Sequence, residues 1–307
     1  MQNMLQEILE IPNAAREFLH SNEGVDLPLD VPYVGMGSSY FACLAFKYMG
    51  VKIYPEIASE YHDYLSRGKT QPMGVILSQS GRSSEALWCT KLFTKYVAIT
   101  NDPASPLATA TNRAGLVDIL AGSEEYSSSK TYINTLLALF RGFGMEPSGF
   151  LDLLPSRMDA YQSWGRDLAQ TMVDIKREKK VTGLYITGSG PNIATAMQAA
   201  LILSESTKLG FQGLPLAQFD HGPKEAAAGS IVFQILDKEH GYTRDKTLSS
   251  KIQGAGAHVF TVEEPLVPEY SSVLFNIIPF NFLGFYLAQL LDVGETFSVG
   301  GKVTEVL

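Results

Sequence analysis

Twice in this chain a short apolar run ends in a glycine-x-glycine turn and passes directly into a segment of helical pattern. Val31-Pro32-Tyr33-Val34 leads into Gly35-Met36-Gly37-Ser38-Ser39 and a helix extending to about Met49. Leu184-Tyr185-Ile186-Thr187 leads into Gly188-Ser189-Gly190 and a helix over about Ile193 to Leu209. The second pair of glycines stands 153 residues after the first, about half of the 307-residue chain. Around each turn, strands and helices alternate with short connections. The first half reads as strands near Val51, at Gly74–Leu77, Tyr96–Thr100 and Leu116–Leu120, with helices at Ser83–Thr94, near Ser105 and at Lys130–Phe140. The second half has strands at Ser230–Leu236, His258–Val262 and Val273–Ile277. Such alternation specifies parallel sheets covered by helices on both faces, and the offset specifies a duplicated α/β domain. Residues 1–145 are expected to form an N-terminal helix and the first domain, 146–180 a helical linker, and 181–307 the second domain and a tail.

Composition narrows the function. The net charge is −8, and a nucleic-acid binder ordinarily presents a basic face, so any anion site must be local. Two cysteines, Cys43 and Cys89, lie far apart within helical segments, which argues against a disulfide framework and fits a reducing cytoplasm. The five histidines, His20, His62, His221, His240 and His258, show no metal-ligand spacing. The N-terminus lacks a basic region followed by an apolar one, so no signal peptide is expected. Val273–Leu291 is free of charge but contains Asn276, Pro279, Asn281 and Gln289, and reads as a buried strand and helix rather than a membrane span.

A glycine turn between strand and helix lets an anion approach backbone N–H groups at the positive end of the helix. A dinucleotide fold would place a third glycine where Tyr40 and Ile193 stand, and no Gly-x-x-x-x-Gly-Lys-Ser/Thr run occurs, so no nucleotide cofactor is expected. Ser38 and Ser39 follow the first turn, with helix capping the alternative use for Ser38. The stretch Ser78-Gln79-Ser80-Gly81-Arg82-Ser83-Ser84-Glu85 follows the strand ending at Leu77 and crowds four hydroxyls into one turn. A capping box would need serine or threonine three residues before Glu85, where Arg82 stands. In an open parallel sheet both turns lie at the carboxyl ends of strands, where ligands collect. Ser38, Ser39, Ser78, Gln79, Ser80 and Ser83 are therefore candidate binders of a phosphomonoester, which small donors can hold without a basic surface.

Two residues of the second half can move protons. Glu205 is the one acidic residue on its apolar, small-residue helix, where partial burial would raise its pKa; an exposed helical glutamate is the alternative. His221 lies in Phe219-Asp220-His221-Gly222-Pro223, which cannot continue a helix, and an imidazole titrates near neutrality; a purely structural histidine is the alternative.

Gly37-Ser38-Ser39-Tyr40 with Ser78-Gln79-Ser80-Gly81-x-Ser83 resembles the SIS (sugar isomerase) domain, and the tandem arrangement is similar to the isomerase half of the glucosamine-6-phosphate synthases. The resemblance continues through Glu56-Ile57-Ala58-Ser59-Glu60, Ala121-Gly122-Ser123-Glu124, Ser127-Ser128-Ser129-Lys130, Asp220-His221-Gly222-Pro223 and Lys302-Val303-Thr304. It implies two flavodoxin-like SIS domains, phosphate binding by the serines and a sugar contact at Ser128. It further implies that Glu205 shuttles a proton through an enediol or enolamine, that His221 helps to open the sugar ring across a subunit interface, and that Lys302 is the family's C-terminal lysine. The expected assembly is a homodimer or larger homo-oligomer, with no nucleic-acid or membrane partner. Three positions depart from the pattern: Ile202 replaces a lysine, Arg82 a glutamate and Phe41 a histidine. No glutaminase segment precedes the isomerase pair, so glutamine-dependent transfer is not expected of this chain alone. The expectation is an isomerising deaminase of amino-sugar phosphates or a fructosamine-6-phosphate deglycase; simple aldose–ketose isomerisation shares the same proton transfer, and a non-catalytic sugar-phosphate sensor is the alternative.

Overall fold

The computed structural model describes residues 2–21, 26–147, 149–236, 240–294 and 299–300. Among them, residues 10–124 and 128–147 form one compact unit, and residues 2–9, 125–127 and 149–294 form another.

The first unit is built on a five-stranded parallel sheet: β1 (Pro32–Gly35), β2 (Tyr54–Ile57), β3 (Gln71–Leu77), β4 (Phe93–Thr100) and β5 (Arg113–Asp118), in the order β2-β1-β3-β4-β5. Val75, Ile76 and Leu77 are all buried, as are Tyr96 through Thr100. This is why the strands read as continuous apolar runs without alternation: helices cover both faces. Val34, Ile76 and Ala98 face one layer, where they pack with Ala58, Tyr61, Ala86, Cys89 and Leu107. The opposite layer contains the helices Ser38–Tyr48 and Lys130–Gly142, locked by Phe46 against Phe140 edge-on at 4.9 Å. Asn134 of the latter helix donates from Nδ2 to the carbonyl of Ile119 at 2.8 Å, satisfying the backbone just beyond β5.

The second unit repeats the plan with four parallel strands, β6 (Leu184–Gly188), β7 (Phe211–Pro215), β8 (Ile231–Ile235) and β9 (His258–Val262), ordered β7-β6-β8-β9. Tyr185 and Val232 pack under Leu216, Phe219, Leu248 and Ile252 on one face. On the other, Phe233 meets Trp164 and Phe280, from the helices Phe150–Glu178 and Ile278–Leu290. The segment expected as a linker thus contains one 29-residue helix that packs into this unit.

Two expectations change. Val273–Ile277 is not a strand: Glu269–Asn276 is a helix, followed directly by Ile278–Leu290. Ser271 through Asn276 are all buried, and a helix buried all round carries no amphipathic period to distinguish it from a buried strand. The whole apolar stretch Glu269–Leu290 is long enough to cross a membrane, and 83% of its most apolar window is buried inside the protein. Conversely, β7 escaped the reading because Gly213 and Pro215 interrupt it; it is an edge strand, where both are tolerated.

Candidate functional site

In the first unit the helices following β1 and β3 lie on opposite faces of the sheet. The order 2-1-3-4-5 therefore opens a crevice at the carboxyl ends of these adjacent strands, the topological switch point at which ligands enter this fold class. The register Tyr33↔Val75 and Val34↔Ile76 brings the turn after β1 beside the turn after β3. The candidate serines of the two turns thus converge on one edge of one sheet.

Their hydroxyls are not spent on capping. Gly37, with φ 50°, is the N-cap of the helix Ser38–Tyr48 and makes no side-chain cap, so Ser38 and Ser39 are the first two helical residues, both half-buried. Ser83 occupies the N-cap of Ser84–Cys89 without capping it; its Oγ instead accepts from Ser78 Oγ at 3.2 Å. Ser78 is 3% exposed, and Ser80 accepts from the Arg82 backbone N–H at 3.2 Å. Gly81 makes the turn possible: its φ is +61°, and a Cβ there would stand 2.0 Å from Ser105 Oγ. The turn is also tied to the end of β4, because Asn101 N–H (2.9 Å) and Thr100 Oγ1 (3.2 Å) both donate to the Gln79 carbonyl. Gln79 itself is half-buried at the turn. Arg82, unexplained by sequence, donates from Nη2 to Asp102 Oδ2 at 3.0 Å.

Ser128 lies, half-buried, in the loop before the helix Lys130–Gly142. Glu124 shapes that loop. Its Oε1 accepts from Ser129 N–H (3.0 Å), Ser129 Oγ (2.7 Å) and Lys130 N–H (2.9 Å), and its Oε2 from Thr131 Oγ1. Burial pushes the Glu124 carboxyl above its ordinary pKa, against the opposing effect of these donors. Lys130, 4% exposed, is paired with Glu10. Neither Glu124 nor Asp102 was singled out as a candidate from sequence. Glu124 sits in the Ala-Gly-Ser-Glu motif and was traceable; Asp102 is twenty residues from Arg82 with no local signal.

Glu205 and His221 belong to the second unit. Glu205 is half-buried in the last turns of the helix Asn192–Thr207, and its backbone carbonyl accepts from Lys208 Nζ at 2.8 Å. The next residue, Ser206, shares a hydrogen bond of 3.3 Å with Ser127 of the same unit. His221 ends the short helix Leu216–His221 and is exposed. Beside it, Lys224 Nζ donates to Asp220 at 2.7 Å and holds that carboxyl below its ordinary pKa. Lys302 lies outside the described residues. The second glycine turn differs from the first: Glu269 stands against it, with its Oε1 2.5 Å from where a Cβ on Gly190 would be, and its Oε2 is 2.8 Å from His240 Nδ1.

No family model matches the chain. It is 26% identical to the glutamine–fructose-6-phosphate aminotransferase [isomerizing] of Sulfolobus acidocaldarius, over 90% of this chain and 50% of that protein. The chain spans about half the length of the curated relatives it matches. Its fold is that of the glucosamine-6-phosphate deaminase from Thermotoga maritima (TM-score 0.75, 18% identity, 95% of each chain covered). It is also that of the C-terminal domain of glucosamine-fructose-6-phosphate aminotransferase from Francisella tularensis (TM-score 0.73, 18% identity, 94% of this chain and 96% of that one). With two parallel sheets flanked by helices, the chain has the fold of these phosphosugar enzymes, and nearly its whole length is similar in sequence to the isomerase half of the aminotransferases.

Proposed function

We propose that this chain is an enzyme acting on a ketose or amino-sugar 6-phosphate through an enediol or enolamine, as an isomerising deaminase or a fructosamine-6-phosphate deglycase. The observation that carries the reading is the convergence of two serine turns at the switch point of the first sheet, with Ser38, Ser39 and Ser83 free of capping duty. In this reading Ser38, Ser39, Ser78, Gln79, Ser80 and Ser83 hold the phosphate and Ser128 the sugar. The likeness to a solved glucosamine-6-phosphate deaminase supports the same class.

The chemistry follows from the groups at hand. His221 assists ring opening by relaying a proton to the ring oxygen. Glu205 takes the proton from C2 of glucosamine 6-phosphate and returns it to C1, leaving an imine at C2. Water adds to that imine and ammonia leaves, giving fructose 6-phosphate. In the deglycase version the proton moves from C1 to C2, the imine forms at C1, and hydrolysis gives glucose 6-phosphate and the free amine. A half-buried carboxylate can serve either transfer, taking the proton as a base and returning it as an acid. A homodimer with His221 acting across the interface completes the proposal.

Assays of ammonia release from glucosamine 6-phosphate, and of lysine release from a fructosamine 6-phosphate, separate the two versions. Glu205→Gln is expected to lower turnover by at least about 10²-fold, the usual size of a lost general base, while sugar-phosphate binding persists. Full activity in that variant would refute the mechanism; binding without turnover by the unmodified chain would instead identify a sugar-phosphate sensor.

A further inference from the structure

The serine hydroxyls of the cradle carry no formal charge, and Arg82, which does, is engaged by Asp102. Asp102 cannot easily withdraw from the site. Its Oδ1 accepts from Ala104 N–H at 2.9 Å, fixing the turn after β4, and the two preceding residues are bonded to the Gln79 carbonyl. Leu107 N–H donates to the Gly81 carbonyl at 3.2 Å, so the turn that needs Asp102 also buttresses the cradle. A carboxylate is thereby built into the rim of a site that, in the preceding reading, receives a phosphate dianion. Left bare, it would repel that ligand. The pair is also poorly placed to stabilise the fold, since 56% of the Arg82 side chain and 35% of that of Asp102 are exposed, and exposed pairs contribute little. Its electrostatic effect falls on whatever anion occupies the crevice.

We infer that Arg82 is a specificity-determining residue of the cradle: by covering Asp102 it cancels the rim's negative charge and lets an otherwise uncharged serine site accept a phosphomonoester dianion. The inference rests on the phosphate reading of the serine turns.

Calorimetric titration with inorganic phosphate, at low ionic strength and with added salt, tests it on the unmodified chain and four variants. Arg82→Ala is expected to weaken binding about three- to ten-fold at low salt, the order expected for one uncompensated charge near a dianion in a largely aqueous setting, and less as salt screens it. Asp102→Asn, which keeps the acceptor for Ala104 N–H, is expected to bind at least as tightly as the unmodified chain. The double variant is expected to recover to within about two-fold of the unmodified chain, as pairwise neutralisation requires. Unchanged affinity in Arg82→Ala, or a double variant as weak as Arg82→Ala, would overturn the inference. A Ser78→Ala/Ser80→Ala form keeps the two readings apart. If it alone loses phosphate, the cradle stands and the role of Arg82 falls; if it binds normally, the cradle falls and the inference with it.

Discussion

Glu124 shows how one side chain fixes a loop that no local propensity would order. Four donors from three consecutive residues meet its carboxylate, which supplies from upstream the cap that the helix Lys130–Gly142 does not obtain from its own N-cap, Ser129. Glu124→Ala strips all four and is expected to cost about 2–4 kcal/mol, a lost cap plus buried donors left unsatisfied, read by urea denaturation. Glu124→Gln retains an acceptor oxygen and is expected to cost far less. The pH signature is specific. Because burial raises the folded-state pKa above the ordinary 4.5, folding binds a proton at this site. Its stabilising contribution is complete below 4.5 and is lost as pH rises through the folded value. Subtracting the Glu124→Gln stability profile from that of the unmodified chain should reveal that decline; a flat difference would argue against the burial effect.

At the scale of elements, close approach does what hydrophobic pattern alone cannot. The helix Phe150–Glu178 passes so near to Ile278–Leu290 that a Cβ on Gly165 would stand 2.6 Å from Phe282 Cβ and 2.7 Å from the Leu283 nitrogen. Both obstacles are fixed, one by its own backbone and the other being backbone. Gly165→Ala is therefore expected to destabilise the chain by about 1–3 kcal/mol through overpacking, despite alanine's better helix propensity; a stabilised variant in thermal melts would contradict the packing described. The charges at its C-terminal end, Lys176, Arg177 and Glu178, with Lys179 and Lys180 beyond it, dominate the local pattern and account for its expectation as a helical linker. Its buried stripe, including Leu154, Met158, Tyr161, Leu168 and Met172, was present but ambiguous until a partner helix could be assigned.

For the whole molecule, duplication of the fold did not duplicate the surroundings of the glycine turn: at the second switch point the Glu269 carboxylate stands against Gly190. A carboxylate beside a helix N-terminus fulfils the role a bound anion would otherwise have there. One phosphate or sugar phosphate is therefore expected to bind per chain, measurable as the calorimetric stoichiometry; a value of two would show that Glu269 yields to ligand.

The alternation of strands with helices, the duplication and the serine turns are properties of local sequence: apolar runs of strand length, glycines where φ must be positive, hydroxyls clustered after a strand. These sufficed for the fold class and singled out the serine turns proposed as the phosphate site. They could not reveal that Ser83 bonds Ser78 instead of capping a helix, that Arg82 is held by Asp102, or that the second turn is filled by Glu269. Each of these depends on which strands lie side by side and on where distant loops come to rest. Sheet order and register make those choices through long-range packing, for which a short window of sequence carries no signal.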